Sequence, residues 1–319
     1  MTTAKTKFRA STIKAGKETD HLFTFMESVI TNLKTLGKIR TSETYATSLS
    51  SFRRFRRGKD MALEAVDSDT MTAYEAWLKD SGLSPNTSSF YMRNLRAVYN
   101  RAVEKGLITH RYPFKHVYTG VEKTIKRAVP LKTIRQIREM DLSDNPAADY
   151  ARDMFLFSFY TRGMSFVDMA YLRKKNLQGG ILSYRRRKTG QQLFVKWEKC
   201  MQEIVDKYDM PQSDYLLPII KTSCNVEARK QYIYASHNIN RSLKAIGRRL
   251  GLPLPLTMYV SRHAWASIAK SKNVPVSVIS EGLGHDSETT TRIYLASLDS
   301  QAIDRANNMI LKSLERNCR

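Results

Sequence analysis

The sequence is poor in cysteine and proline and has no long apolar run. It contains 3 cysteines and 9 prolines in 319 residues. Cys200, Cys224 and Cys318 are scattered and odd in number, which excludes a disulfide framework and a paired metal motif and suits a reducing cytosol. No apolar stretch approaches the roughly 20 residues that span a bilayer, and the basic N-terminus lacks the apolar core of a secretion signal. We therefore expect a cytoplasmic protein without a membrane partner.

Nucleotide-binding and repeat signatures are also missing. The chain has neither a Walker phosphate loop nor a dinucleotide fingerprint, and no internal repeat. We expect the protein to need no cofactor and no metal.

Acidic residues are scarce relative to basic ones. The 53 Lys and Arg exceed the 30 Asp and Glu, which gives a net charge of +23. Such a charge favours polyanionic partners, because each phosphate neutralised by Lys or Arg releases condensed counterions. Charge alone does not distinguish DNA from RNA or an acidic membrane.

Apolar residues recur at helical spacing along the first hundred residues. They predict helices from Leu22 to Leu33, with Asp20 as the cap, and over Ser42–Arg57, Ser68–Lys79 and Ser84–Val103. Four helices predict a compact all-α domain over residues 18–108. A basic tail, 1–17, precedes it and is either disordered or reaches a further DNA site. Residues 109–129 have no sustained period and are interpreted as a linker.

Residues 130–319 are predicted to form a second, mostly helical domain with one β-hairpin. The hairpin pairs Ile181–Arg187 with Gln191–Trp197 around a Lys188-Thr189-Gly190 turn. Helices are predicted over Cys200–Tyr208, Ile239–Leu250, Arg262–Ser271, Val276–Glu281 and Ser287–Leu298, the last with Ser287 as N-cap. A final amphipathic helix, Gln301–Leu314, has Ile303, Ala306, Ile310 and Leu314 on one side. It docks either on a neighbouring subunit or on its own domain.

Four motifs of this second domain carry a family resemblance. They are Thr161-Arg162-Gly163, Arg186-Arg187-Lys188-Thr189-Gly190, Tyr259-x-x-Arg262-His263, and Leu283-Gly284-His285 followed nine residues later by Tyr294. In their order and spacing the chain resembles the tyrosine recombinases, also called the phage integrase family. Residues 84–102 are similar to the last helix of that family's core-binding domain. The resemblance implies a mainly α protein, with an N-terminal four-helix SAM-like core-binding domain and a C-terminal mixed α catalytic domain with a small β-hairpin or sheet.

The resemblance also implies a reaction at phosphorus. Tyr294 would attack a DNA phosphate, form a 3′-phosphotyrosyl bond and free a 5′ hydroxyl, so that resealing needs no ATP. Arg162 and Arg262 would hold the non-bridging oxygens, because each guanidinium can donate two parallel hydrogen bonds and stays charged. Lys188 would protonate the leaving oxygen. His285 would hydrogen-bond the scissile phosphate.

Two positions depart from the family pattern. Tyr259 stands where the family usually has a histidine, and a phenol is a poor base near neutral pH. Ser165 stands in the slot of the first arginine, three residues before Asp168. Arg162 lies one turn earlier and would have to reach the phosphate from there; otherwise another cation must replace the absent guanidinium. His263 and Asp168 are expected to support the site without touching the substrate.

Further basic residues are candidates for contacts with DNA phosphates. The run from residue 53 to residue 59 has basic residues on both sides of Phe55, namely Arg53, Arg54, Arg56, Arg57 and Lys59. With Phe55 buried, the charges would point outward to the DNA; a merely solvated helix face is the alternative. In the hairpin, Arg186 and Lys196 are predicted to bind the DNA backbone.

Three functions fit the sequence. A site-specific recombinase would integrate and excise a mobile element, with two domains around double-stranded DNA and a homotetramer on two DNA sites, with or without accessory DNA-bending proteins. A non-catalytic DNA-binding regulator of the same fold is favoured by Tyr259 and by the displaced first arginine. A type IB topoisomerase would share the tyrosine chemistry, but the N-terminal unit is of the compact recombinase type.

Overall fold

The computed structural model describes residues 20–122, 128–222, 224–296 and 307–311. They divide into two compact units with the boundary after Lys123, and each unit has its own cluster of buried apolar side chains. The predicted tail 1–17 and Cys318 lie outside the described residues. Within those residues, no helix combines the length and the apolarity that crossing a membrane requires.

The first unit contains the four predicted helices. They are α1 (Leu22–Thr35), α2 (Ile39–Phe55), α3 (Ser68–Asp80) and α4 (Pro85–Glu104). Helix α3 begins where the Asp67 side chain accepts a hydrogen bond from the Thr70 backbone N–H. The cap predicted at Asp20 is wrong: His21 is the N-cap residue and makes no side-chain capping bond. The Asp20 carbonyl accepts instead from the Leu63 N–H, at 2.7 Å.

The segment that follows α4 packs on the first unit. Ile108, Phe114 and Val117 are buried in the same apolar cluster as the four helices. The rings of Tyr99 and Phe114 lie 6.0 Å apart. Irregular backbone buries side chains without a regular period, which explains why the sequence pattern predicted a linker from residue 109. Residues 109–117 therefore contribute to the core of this unit.

The second unit is built around one helix that is apolar on nearly every side. Helix α6 (Pro146–Tyr160) buries residues on all its faces, as a central helix must. It packs against the other long helices of the unit. These and the shorter helices are α5 (Leu131–Glu139), α7 (Phe166–Ala170), α8 (Lys199–Lys207), α9 (Asn225–Arg249), α10 (Met258–Ser271), α11 (Val276–Leu283) and α12 (Glu288–Ala296).

A three-stranded antiparallel sheet includes the predicted hairpin. Its strands, in sheet order, are β1 (Leu177–Gln178), β2 (Ile181–Arg185) and β3 (Gln192–Lys196). The hairpin is confirmed, whereas the two-residue β1 was not predicted. The last paired residues are Arg185 and Gln192, so residues 186–191 form the hairpin tip.

The last helices place the C-terminal motifs. Helix α11 ends at Gly284, whose φ of 64° is left-handed and suits glycine. The predicted N-cap of α12 is confirmed, since Ser287 Oγ accepts from the Thr290 N–H at 3.3 Å. Residues 307–311 are helical. Residues 297–306 and 312–319, including the predicted Ile303, Ala306 and Leu314, lie outside the described residues.

Candidate active site

Arg262, on the second turn of α10, is the central charge of the site. Its side chain is only 3% exposed. Nη1 donates to the Gly163 carbonyl at 2.9 Å, and Nη2 donates to the Leu283 carbonyl. A Cβ at position 163 would lie 2.7 Å from the Arg262 Cα, so only glycine permits this approach. Two segments distant in sequence thus fix the guanidinium.

The Arg262 guanidinium keeps donors for an anion. Its buried Nε has no hydrogen-bond partner, and it forms no ion pair with a carboxylate of the described residues. Burial, and then the neighbouring charge of Arg186, lower the pKa of this guanidinium from its ordinary value. A buried cation in such surroundings favours an anionic ligand.

His285 connects this guanidinium to α12. Its Nε2 lies 3.2 Å from Arg262 Nη2, and its Nδ1 lies 2.7 Å from Thr291 Oγ1. Because a guanidinium has no lone pair, Nε2 must accept, and the ring proton sits on Nδ1. Burial, followed by the charges of Arg262, Arg186 and Lys188, lowers the pKa of His285 to about 4. The imidazole is therefore neutral at pH 7.

Tyr294 lies half-buried on α12, and its hydroxyl group is hydrogen-bonded to an imidazole. The phenol hydroxyl hydrogen-bonds His263 Nδ1, and the two rings stack with centroids 5.1 Å apart. The ring of His285 lies edge-on to Tyr294 at 5.8 Å. Burial, reinforced by Tyr259 and opposed by Arg262, raises the pKa of the Tyr294 phenol. Attack by this oxygen thus needs a group that takes its proton.

Tyr259 and His263 occupy one face of α10, four residues apart. The Tyr259 ring is 53% exposed and meets the His263 ring edge-on at 4.7 Å. His263, expected from the sequence to support the site from behind, is the residue that contacts the Tyr294 hydroxyl. Helical spacing could have indicated this, since positions four apart share a helix face.

The residues near the predicted first-arginine slot are used differently. Arg162 has a left-handed φ of 63° and is half-buried. A Cβ on Gly282 would lie 3.6 Å from the Arg162 Cδ, so the side chain runs past α11. Ser165 is the N-cap of α7, and its Oγ donates to Asp168 Oδ2 at 2.6 Å. The serine hydroxyl is thereby bound to a carboxylate.

The hairpin tip adds two cations to the cluster. Arg186 is 7% exposed, and its Nη1 donates to the Gly284 carbonyl. Lys188 is exposed on the turn, and its charge acts on His285. Lys196, by contrast, is exposed and lies 3.8 Å from a Glu198 carboxylate oxygen.

The sequence pattern contained a signal for the burial of Arg186. Leu182 and Tyr184 are the buried residues of β2, and Arg186 continues the same alternation one step beyond the strand. Predicted as a ligand of the DNA backbone, it lies beside Arg262 and His285.

The basic run of the first unit lies on its surface. Arg53 pairs with Glu27 at 2.6 Å and lies 5.1 Å from the centre of the Phe23 ring. Phe55 is half-buried, with its ring 5.1 Å from that of Tyr74. The other basic residues are Arg54, Arg57 and Lys59, which are exposed, and Arg56, which is half-buried with its Nε covered.

Chemically, the cluster suits a phosphodiester. It combines the Tyr294 phenol, the His263 imidazole that is hydrogen-bonded to it, and the neutral His285. Further cations lie around the Arg262 guanidinium. In the part of the chain that the structure describes, no group of three or more His, Cys, Asp or Glu side chains could hold a metal ion.

Both units match known protein families. Residues 21–117 match the phage integrase SAM-like domain, and residues 130–301 match the phage integrase family. The tyrosine recombinase XerD of Rhizobium meliloti is 22% identical over 288 residues, which cover 84% of this chain and 88% of XerD.

Solved structures have the same fold. A lambda integrase tetramer bound to a Holliday junction superposes with a TM-score of 0.65 at 17% identity, covering 86% of this chain and 77% of that one. The Tn1549 transposon integrase, in complex with transposon right end DNA, gives a TM-score of 0.61 at 13% identity, covering 92% and 99%.

Proposed function

Since the chain belongs to the phage integrase family and catalyses site-specific cleavage and rejoining of DNA, we propose that Tyr294 is its nucleophile and that the reaction integrates and excises a mobile genetic element. One observation carries the assignment of the nucleophile: of 16 tyrosines, Tyr294 has its hydroxyl on His263 and its ring against His285, which in turn contacts Arg262.

The cleavage step follows from these contacts. The Tyr294 oxygen attacks phosphorus while its proton passes to His263 Nδ1, the atom it already contacts. The bond from phosphorus to the 5′ oxygen breaks, and Lys188 gives that oxygen a proton. A 3′-phosphotyrosyl bond remains, and attack by a 5′ hydroxyl reverses the sequence without ATP. Tyr259, exposed at the edge of the cluster, serves as a hydrogen-bond donor to the phosphate.

Charge that develops on the phosphate is held by fixed donors. Arg262 supplies the main clamp, because two main-chain carbonyls hold its guanidinium in place before the substrate binds. A preorganised donor of this kind contributes about 3–4 kcal/mol to the transition state. His285 adds no charge; its Nε2 accepts from Arg262 Nη2 and so helps to orient that guanidinium. A second cation is needed on the opposite oxygen, and the cluster offers Arg162 and Arg186.

Binding and assembly rest on other surfaces. The basic run from Arg53 to Lys59 contacts DNA phosphates, in keeping with the net charge of +23. The protein acts in the cytoplasm as a homotetramer on two double-stranded DNA sites. This assembly is supported by the likeness of its fold to that of a lambda integrase tetramer bound to a Holliday junction. The exposed apolar residues Met309, Ile310 and Leu311 support docking of the final helix on a neighbouring subunit.

The mobile-element role is supported by the likeness to the Tn1549 transposon integrase. Its test begins with the DNA that flanks the encoding gene, where the proposal expects paired repeats containing the crossover site. Plasmids that carry two such sites should recombine when the protein is added. Recombination only between chromosomal sites remote from the gene would overturn the mobile-element role.

The nucleophile is tested with a nicked duplex that contains this site, on which cleavage releases a short fragment and traps the protein. Wild-type protein should form a covalent adduct on the 3′ side of the break. Tyr294→Phe should form none and still bind the duplex with nearly unchanged affinity. An adduct with the Tyr294→Phe protein, or attachment to the 5′ side, would refute the assignment.

A further inference from the structure

The position that the family pattern assigns to the first arginine supplies no cation in this chain. Ser165 fills it, and its hydroxyl is bound to Asp168. Because attack at phosphorus builds charge on more than one non-bridging oxygen, Arg262 alone leaves one oxygen without a guanidinium. The missing charge must come from another element.

The hairpin tip is tied to this same place. Asp168 Oδ1 accepts a hydrogen bond from the Arg187 backbone N–H at 2.9 Å, while its Oδ2 accepts from Ser165. Arg186 N–H donates to the Gln191 carbonyl at 2.8 Å, and its own carbonyl accepts from Gly190 at 2.7 Å. The carboxylate beside Ser165 thus fixes the neighbour of Arg186, and the turn fixes Arg186 itself.

The side chain of Arg186 reaches the other guanidinium of the site. It donates to the carbonyl of Gly284, and Arg262 donates to the carbonyl of Leu283, the residue before it. A Cβ on Gly284 would lie 3.2 Å from the Arg186 Cδ, so the aliphatic stem also packs there. Two guanidiniums are therefore anchored on adjacent peptide units.

This pair is buried without compensation. Arg186 and Arg262 are 7% and 3% exposed, and neither forms an ion pair with a described carboxylate. Arginines that stabilise a fold are normally buried with an acid, because an unpaired buried charge costs several kcal/mol. Two like charges side by side raise that cost, and a phosphate between them removes it.

Arg162 is placed less well for this task. It is half-buried, and the main charges that lower the pKa of Arg262 and of His285 include that of Arg186 but not that of Arg162. The charge of Arg162 acts on Tyr184 instead: against the rise that burial causes, it lowers the pKa of that phenol, as the charges of Arg262 and Arg186 also do.

We propose that Arg186, from the hairpin tip, is the second phosphate-binding guanidinium of the active site and replaces the arginine missing at Ser165. Its partner is the scissile phosphate, held by Arg186 and Arg262 together. The inference rests on the proposed function, because it assigns a role within that reaction.

The test compares two nicked duplexes that differ only at the scissile position, one with a phosphate and one with an uncharged methylphosphonate. On the phosphate and at saturating DNA, Arg186→Ala should lower the rate of adduct formation about 10²–10³-fold. Because the methylphosphonate lacks one charged oxygen, the same variant should lose most of that defect on it. Arg185→Ala is the matched control, because it removes an exposed guanidinium of the same hairpin that, among the described residues, donates only to the Gly190 carbonyl, and it should stay within a few-fold of wild type on both duplexes.

A relocated arginine provides a second readout. Ser165→Arg in the Arg186→Ala background should restore a large part of the cleavage rate, since it returns a guanidinium to the family position. If Arg186→Ala does not fold, as judged by circular dichroism, Arg186→Lys is measured on the same duplexes and should show an intermediate defect that the methylphosphonate again reduces.

The outcomes separate the two proposals. An equal defect of the Arg186 variants on both duplexes, without rescue by Ser165→Arg, would mean that Arg186 only braces Gly284, and the inference fails. Weaker DNA binding with a normal rate at saturation would make it an ordinary backbone contact, and the inference also fails. Absence of any adduct with the wild-type protein would instead overturn the proposed function.

Discussion

Arginine is used in opposite ways in the two units. In the basic run of the first unit, Arg54 and Arg57 are exposed, and Arg53 is partnered by Glu27 and the Phe23 ring. In the second unit, Arg186 and Arg262 are buried, held by main-chain carbonyls and without an acidic partner among the described residues. The same side chain is neutralised in one place and left uncompensated in the other.

The difference separates affinity from catalysis. An exposed cation gains little from any one contact, but many of them release counterions and set the salt dependence of binding. A buried, fixed cation is costly to the free protein and stabilises charge that appears only as the reaction proceeds. Substitutions in the two units should therefore change different quantities, the binding constant in the first and the rate at saturation in the second.

After the Arg186 variants, the largest effect is expected at His263, a buried residue of the cluster that is not one of its phosphate-binding guanidiniums. His263→Ala removes the atom that we propose accepts the Tyr294 proton, and it should lower adduct formation at saturating DNA about 10²-fold. Since burial raises the pKa of Tyr294, the remaining rate should climb with pH, as more phenolate forms, while the wild-type profile is flatter. Single-turnover rates between pH 6 and 9 provide the measurement.

Tyr259→Phe is the matched control, because it keeps the ring edge that packs on His263 but removes the hydroxyl. It should lower the rate, since a hydrogen-bond donor to the phosphate is removed, without steepening the pH profile. Added imidazole should partly rescue His263→Ala. If both variants gave the wild-type pH profile, His263 would only pack against the nucleophile.

Local sequence patterns predicted most of the helices and the hairpin but only part of the site. The apolar faces of α1 to α4 and the alternation in β2 are local, so periodicity reveals them. The alternation of β2 also indicates a buried side chain at Arg186, but its partner, the Gly284 carbonyl, lies 98 residues further along the chain and is contained in no local pattern. The contact between His263 and Tyr294 likewise joins two helices, and the packing of Phe114 and Val117 follows no period.

A smaller effect is expected in the basic run. Arg54→Ala with Arg57→Ala should weaken DNA binding about tenfold at moderate salt and reduce the slope of log affinity against log salt by about 0.9 for each phosphate that is no longer neutralised. The rate of adduct formation at saturating DNA should stay at the wild-type value. Binding titrations at several salt concentrations measure the first, and single-turnover assays measure the second.

Arg40→Ala is the control for this double variant. It lies at the start of the same helix, with a side chain 83% exposed beside Glu43, and should leave the salt slope unchanged. A lower rate at saturation in the Arg54 and Arg57 variant would break the division between the two units. An unchanged slope would remove the basic run from the DNA interface.

The smallest effect is on the stability of the fold, and it comes from the lowered proton affinity of His285 in the buried cluster. His285 has a pKa of about 4 in the folded chain against 6.5 as its ordinary value, so between these pH values the unfolded chain binds a proton that the folded chain does not. The free energy of unfolding therefore rises with pH across this window. The contribution of His285 to stability is fully present above pH 6.5 and is lost as the solution is acidified towards pH 4. His285→Gln cannot take up this proton and should lose less stability than wild type when the pH is lowered from 7 to 5, as measured by thermal unfolding followed by circular dichroism. Equal losses in the two proteins would mean that burial and the cations around His285 do not suppress its protonation.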